Sequence, residues 1–233
     1  MMYIPVEDGF VELIDWMVTN PAQKTARSAR VSSGNDLIEY TPEQDAKLVR
    51  FLANHNPPHT SPFRHSPITV LFEAPHFVKM HIYKHLIGSE FSSKDTGWNE
   101  QSQRYTIAQK MWIPDEFHGQ TPGRKQGGSN EVHPNNSQWR QQYIETLTAI
   151  QSLYDSMIAD GIAREEARAI LPMATYTRWY MTATMQTFVN LCSLRVHPDA
   201  QRQTQAYASA VEAICLNHYG FVWDELMKRY RHG

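Results

Sequence analysis

Apolar and polar positions along the chain switch between helical and strand-like periods, and the switches mark its elements. Thr41-Pro42-Glu43-Gln44 opens the clearest helix. The threonine can cap free backbone N–H groups, proline is tolerated in the first turn, and Gln44 can complete a capping box. Ala46, Leu48, Val49, Leu52 and Ala53 follow at helical spacing, and Pro57-Pro58 demands that the helix has ended. Ile68 to Glu73 is rich in β-branched and aromatic residues and predicts a strand. Pro75 then opens a predicted helix carrying Phe77, Val78, Met80, His81, Lys84 and His85. Residues 88–105 are polar, contain Gly88 and Gly97, and read as loop. Residues 118–137 hold Gly119, Gly123, Gly127, Gly128 and two prolines, the composition of a mobile loop.

Further on, Ile144, Leu147, Ile150, Tyr154, Met157 and Ile158 form one apolar stripe of an amphipathic helix. A second helix begins near Ala163 and ends before Pro172. Tyr176 to Thr182 looks strand-like and 185–195 helical. Pro198 and Asp199 begin a last long helix that Gly220 ends. No internal repeat or linker interrupts the pattern, so a single domain over 1–233 is expected.

Composition narrows the function classes. With 233 residues and a hydrophobic fraction of 41%, the chain can bury a real core. A formal net charge of −2 gives no field for a nucleic-acid polymer, so any nucleotide must be held by local clusters. Cys192 and Cys215 sit in apolar helical runs and read as buried thiols; two cysteines make no disulfide framework. The first ten residues lack a basic start and an apolar stretch, so no secretory signal is expected. No apolar run approaches a membrane span. The expected setting is soluble, reducing and cytoplasmic, without a membrane partner.

Candidate chemistry concentrates in Asn99-Glu100-Gln101-Ser102-Gln103-Arg104-Tyr105, which holds a carboxylate, a hydroxyl, a guanidinium and a phenol. Such a set suits a small polar anion with hydrogen-bonding edges, such as a nucleotide. If extended, the stretch places Glu100, Ser102 and Arg104 on one side; a solvated loop is the alternative. His59-Thr60-Ser61-Pro62-Phe63-Arg64-His65 can form a rigid loop against a planar ligand, or simply a capped turn before the strand. His81 and His85, four apart, would share a helix face as metal ligands do, but no glutamate follows the first and no third ligand is fixed by spacing. Lys84 can meet a phosphate as a point charge. Arg168 has Glu165 and Glu166 as candidate ion-pair partners, and Arg195 closes an apolar helix, where a cation is favourable in any case. A phosphate-cradling glycine motif, a nucleophile elbow and a catalytic-thiol context are all lacking.

The order of these segments resembles the flavin-dependent thymidylate synthases, the ThyX family. Gly9-Phe10-Val11-Glu12-Leu13 and Ala29-Arg30-Val31-Ser32 are similar to the family's opening. His59-Thr60-Ser61-Pro62-Phe63 resembles its His-x-(Ser/Thr)-Pro-Phe segment, and Ala74-Pro75-His76-Phe77-Val78 the helix start before its signature. Asn99-Glu100-x-Ser102-x-Arg104-Tyr105 matches the second half of that signature. Ala167-Arg168-x-Ile170-Leu171-Pro172, Tyr176-Thr177, Leu194-Arg195 and Ala200-Gln201 resemble the closing segments of the nucleotide site.

The chain is a divergent member by this reading. The family signature begins Arg-His-Arg and reaches its serine after seven residues; here Lys84-His85-Leu86 precedes Ser102 by the stretch 87–101, an apparent eight-residue insertion. An ammonium cannot form the paired bonds that a guanidinium makes to phosphate, and leucine carries no charge. The family's flavin-contacting Asn-x-Arg is Thr184-Met185-Gln186, its substrate-side Gln is His81, and its Glu before the strand's His is Arg64. The Pro-Cys nucleophile of classical thymidylate synthases is absent.

The resemblance implies an α+β fold (an α/β arrangement with a central antiparallel sheet and flanking helices), assembled as a homotetramer with sites between subunits. It implies FAD as cofactor, and NADPH and methylenetetrahydrofolate as co-substrates, in one-carbon transfer to C5 of dUMP. Arg195 would stabilise the anionic base. His81, Lys84, Glu100, Ser102, Gln103, Arg104 and Arg168 would bind the nucleotide. His59, Ser61, Lys84, His85, Leu86, Glu100, Thr184, Gln186 and Asn190 would line the flavin, with Lys84 and His85 in place of the phosphate-binding basic pair. A hydroxymethyl product, a dCMP substrate (with His81 and residues 88–97 as the places to look), a non-catalytic nucleotide binder and a metal hydrolase built on His81 and His85 stand as alternatives.

Overall fold

The computed structural model describes residues 2–88, 96–123 and 127–231. Its frame is a sheet in the order β1-β2-β3-β7-β4, every neighbouring pair antiparallel. The strands are β1 (Tyr3–Val6), β2 (Gly9–Trp16), β3 (Ile68–Pro75), β4 (Trp98–Glu100) and β7 (Tyr176–Ala183), while β5 (His118–Gln120) and β6 (Gly128–Val132) form a separate hairpin. The helices are α1 (Pro21–Arg30), α2 (Pro42–Asn54), α3 (His76–Ile82), α4 (Asn136–Ala159), α5 (Arg164–Ala167), α6 (Met185–Arg195), α7 (Arg202–Tyr219) and α8 (Phe221–Arg231). The α+β class with an antiparallel sheet flanked by helices is therefore as the sequence implied.

Strand period decides which sheet face is covered. Val70, Phe72 and Ala74 of β3 and Trp179, Met181 and Ala183 of β7 are buried, while Arg178 and Tyr180 between them are exposed. Phe72 lies opposite Trp179 with rings stacked 4.8 Å apart, and Trp98 stacks on the other side of Trp179 at 5.6 Å. Each such pair contributes about 0.5–1.5 kcal/mol beyond its area. The α6 helix is buried on nearly every side, from Met185 to Cys192, so it shows little amphipathic pattern. Both cysteines are buried and free, and burial pushes their thiols up, out of the reactive range.

The capping box of α2 forms as expected, with Gln44 N donating to Thr41 Oγ1 (3.3 Å) and Thr41 N to Gln44 Oε1 (2.9 Å). Other elements differ from their predictions. The α3 helix stops at Ile82, so His81 and His85 do not share a helix face, and Lys84 and His85 lie beyond the helix. Part of the polar stretch 88–105 is strand, because β4 pairs with β7 and carries Trp98 onto the core. The glycine-rich stretch 118–137 contains the β5–β6 hairpin and the start of α4; residues 124–126 lie outside the described residues. The α7 helix starts at Arg202 rather than at Pro198, and α8 follows it after Gly220. Among the described residues no helix is long and apolar enough to cross a membrane.

Candidate active site

Two side-chain clusters lie on opposite sides of α3. On one side His81 Nδ1 meets Thr204 Oγ1 of α7 at 3.0 Å. Next to it Arg195, the last residue of α6, donates from Nε to His85 Nε2 at 3.1 Å. His81 and Arg195 line a cavity of about 1000 Å³ together with Trp112, His118, Gln201 and Arg202. The β5–β6 hairpin walls this cavity. Arg202, at the start of α7, holds it there: Nη1 reaches the His118 ring, and Nη2 donates to Ser129 O (3.2 Å) and Asn130 Oδ1 (3.4 Å).

The electrostatics follow from burial. Burial and then the neighbouring Arg195 charge push the His85 pKa down to about 4, and the same two causes lower that of His81. Both rings are neutral at neutral pH. Because Arg195 Nε is a donor, His85 Nε2 is the acceptor, which puts the ring proton on Nδ1.

This neutrality has a stability consequence. Above the ordinary histidine pKa of 6.5 the ring is neutral folded and unfolded, so His85 adds no pH dependence. Between 6.5 and about 4 the unfolded chain binds a proton that folded His85 refuses, so stability is expected to fall with pH in this window and the contribution to level off below it. Thermal melts at about pH 7 and about pH 5 check this. His85→Gln should flatten part of the slope, leaving the share due to His76, His81 and His218, whose pKa values burial also lowers.

The second cluster centres on Glu100, whose two oxygens each accept from Lys79 Nζ at 2.8 Å. Thr177 Oγ1 donates to Glu100 Oε1 at 3.0 Å, and Gln103 Nε2 lies 3.4 Å from His76 Nε2. After Glu100 the chain turns rather than staying extended: Ser102 O accepts from Tyr105 N (2.9 Å) and Thr106 N (3.1 Å). Ser102 Oγ accepts from Arg104 N (3.3 Å) and Nε (3.4 Å). Glu100, Ser102 and Arg104 thus share one loop but not one extended face. Arg168 is half-buried at the end of α5, where a 3-10 turn begins.

The remaining candidates are dispersed. His59 is exposed, with its ring 4.5 Å from that of His55. Ser61 and Lys84 are exposed and Leu86 is half-buried. The Thr184 hydroxyl caps α6, accepting from Thr187 N (3.4 Å) and bonding Thr187 Oγ1 (3.0 Å). Gln186 Nε2 donates to Asn190 Oδ1 at 3.0 Å, whereas the buried Gln186 Oε1 has no hydrogen-bond partner among the described residues. A buried acceptor without a partner is costly, and Gln186 shares this state with buried groups such as Trp179 Nε1 and Trp223 Nε1. Residues 89–95 of the apparent insertion lie outside the described residues. Among the described residues no group of three or more His, Cys, Asp or Glu is arranged to hold a metal ion.

The segment bearing His85 is pinned to the start of α6. Thr184 N donates to Gly88 O (3.1 Å) and Thr187 Oγ1 to Ile87 O (2.7 Å). Gly88 has φ +88°, and a Cβ there would press on both threonine hydroxyls. Gly88→Ala is expected to cost about 2–4 kcal/mol, from backbone strain plus overpacking. Chemical denaturation measures it, and a loss under about 0.5 kcal/mol would show that the turn relaxes freely.

Sequence reasoning missed Lys79, Thr177, Thr204, His118 and Arg202. One signal was available: Thr204, Ala208, Val211 and Cys215 recur on one helical face and are all buried, so a lone hydroxyl on that stripe needed a partner. The hairpin residues carried no such signal.

Comparisons with known proteins identify the family. Residues 12–218 match the family model for thymidylate synthase complementing protein. A flavin-dependent thymidylate synthase of Thermosipho africanus is 30% identical over 233 residues, covering 98% of this chain and 95% of that protein. One from Kosmotoga olearia is 34% identical over 213 residues, covering 90% and 86%. The crystal structure of the UMP/dUMP methylase PolB from Streptomyces cacaoi, bound with 5-Br dUMP, superposes with a TM-score of 0.76 at 25% identity and covers 95% of this chain and 96% of that one. Since the family model spans most of the chain and the relatives align nearly end to end, the chain belongs to the flavin-dependent thymidylate synthase family.

Proposed function

We propose that this protein transfers a one-carbon unit from methylenetetrahydrofolate to C5 of a uracil nucleotide monophosphate, converting dUMP to dTMP with NADPH as reductant. The observation that carries this reading is the Arg195 guanidinium, a half-buried cation lining a nucleotide-sized cavity between two neutral imidazoles. Such a cation would stabilise a pyrimidine carbonyl that gains negative charge as C5 becomes nucleophilic. His81, fixed by Thr204, faces the same cavity as a neutral hydrogen-bonding edge for the base.

Bound FAD would supply the reducing electrons. The side chains offer a fused heterocycle hydrogen-bond donors: half-buried Asn190 accepts from Gln186 through Oδ1 and keeps its amide N–H groups available. His59, Ser61, Lys84 and Leu86 would complete that face. With the Thr184 hydroxyl committed to α6 and His85 to Arg195, these two would shape the site from behind.

Ser102, Gln103, Arg104 and Arg168 would hold sugar and phosphate, with Glu100 ordering their loop through Lys79 and Thr177. This loop and Arg195 belong to clusters on opposite sides of α3. This separation favours a site shared by two copies of the chain, as in the homotetramer with sites between subunits that the resemblance implies. A ribonucleotide substrate is the second reading. PolB is named as a methylase of both UMP and dUMP, and was also solved with 5-Br UMP.

The test is the absorption spectrum of the purified protein with FAD, titrated with dUMP, UMP and dCMP, followed by mass spectrometry of the product. A flavin band perturbed by dUMP and a product heavier by one methyl group support the proposal. A hydroxymethyl product, or a perturbation by dCMP alone, would move the assignment to another reaction. No flavin binding would leave a non-catalytic nucleotide binder.

A further inference from the structure

We infer that His85 is a positioning residue: its neutral imidazole holds the Arg195 guanidinium in place by accepting from Nε while leaving the positive charge whole. The inference rests on the role of Arg195 proposed above, and deepens it.

An arginine that lines a cavity must be held to act in one direction. Its side chain has many rotamers, and a free guanidinium would sample several orientations. Fixing Nε–H fixes the guanidinium plane, and with it the direction of both Nη groups. The 3.1 Å contact with His85 Nε2 does this. The usual arginine partner is a carboxylate, which binds two N–H groups at once and cancels the charge. An imidazole takes one N–H and cancels nothing. A neutral acceptor therefore orients a cation whose task is to stabilise an anion.

The acceptor is itself held. His85 is only 9% exposed, and its backbone N–H donates to Ile82 O at 3.0 Å at the end of α3. Two and three residues further on, Ile87 O and Gly88 O are tied to Thr187 and Thr184 at the start of α6, the helix that ends in Arg195. Donor and acceptor thus stand on segments braced against each other. Burial and the adjacent Arg195 charge keep the ring unprotonated, so Nε2 remains an acceptor.

The test compares His85→Gln, His85→Ala and His85→Glu in the full chain loaded with FAD. Gln places a neutral acceptor near the Nε2 position, Ala removes it, and Glu replaces it with a charge-cancelling one. The expected result is a kcat about 10- to 100-fold lower for Ala, with KM for dUMP within about threefold. Gln should recover most of that loss, and Glu should be at least as impaired as Ala. An independent reading is the Nε–H resonance of Arg195 in arginine-labelled protein. It should be protected from exchange in wild type and in the Gln variant, and unprotected in the Ala variant. Equal kcat for Ala and wild type, or for Gln and Glu, overturns the inference; the Gln–Glu comparison stands even if the Ala variant fails to fold. Should wild type itself form no product from dUMP, the proposed reaction fails, while the exchange measurement still decides whether His85 orients Arg195.

Discussion

Arg195→Ala is expected to lower kcat for the pyrimidine nucleotide by about 10²–10³-fold, the loss seen when one donor aimed at a developing oxyanion is removed, or roughly 2.7–4 kcal/mol of barrier. The size follows from what would remain. His81 and His85 are the nearest ring neighbours of the guanidinium, and both are neutral, so neither takes over the charge. Arg202, the other cation lining the cavity, is tied to the β5–β6 hairpin, so the developing anion would lose its dedicated counter-charge. Arg195→Lys should recover little, because an ammonium lacks the Nε–H that meets His85 and the planar fork that faces the cavity. Stability should change far less than rate: a cation at the last residue of α6 contributes about 0.3–1 kcal/mol through the helix dipole. Steady-state turnover with dUMP, alongside melting temperature, separates the two effects. A variant that keeps more than about a tenth of wild-type kcat would remove Arg195 from the chemistry.

The elements that could be read from the sequence are those whose local signals agree with their tertiary setting. The α2 helix carries its own capping box and stop, and the β3 and β7 strands bury the residues that their β-branched and aromatic content suggests. The elements that could not be read depend on distant partners. The β4 strand exists because Trp98 finds Trp179, far along the chain, and its polar surroundings hide that. The β1–β2 hairpin was obscured because Phe10 and Ile14, on the face opposite Val11 and Leu13, are apolar too, which blurs the alternation. The β5–β6 hairpin is glycine-rich and mostly exposed, so composition pointed to loop.

The site divides in the same way. Glu100, Ser102, Arg104, Arg168 and Arg195 stood out by residue type alone, and their roles came from the family resemblance. That His81 and Arg195 line one cavity is a property of the fold. The neutral state of His85 is invisible in sequence, where it sits beside Lys84 and reads as half of a basic pair. Only its burial against Arg195 turns it into an acceptor. Lys79, which neutralises Glu100 from the face of α3 opposite His81, has the same character: an ordinary helical lysine until β4 brings the carboxylate to it.

Separation of the two clusters leads to the second large effect. Arg104→Ala is expected to cripple nucleotide binding and Arg195→Ala the chemistry, yet a mixture of the two inactive proteins, co-expressed or refolded together, should regain activity. If each site takes its Arg195 cluster from one copy and its Glu100–Arg104 loop from another, a mixed pair of subunits forms one site lacking both arginines and one site that is fully wild type. Random pairing then makes roughly a quarter of all sites wild type, a rise of about two orders of magnitude over either parent. The recovered sites should show wild-type KM as well as wild-type kcat, because nothing in them is altered; partial repair of a damaged site would raise kcat with an abnormal KM. Activity no greater than the average of the two parents would mean that both clusters serve one site within a single chain. That outcome would require α3 to turn or the 100–105 loop to swing around it, against the Lys79–Glu100 and Thr177–Glu100 bonds that now hold the loop on its own side.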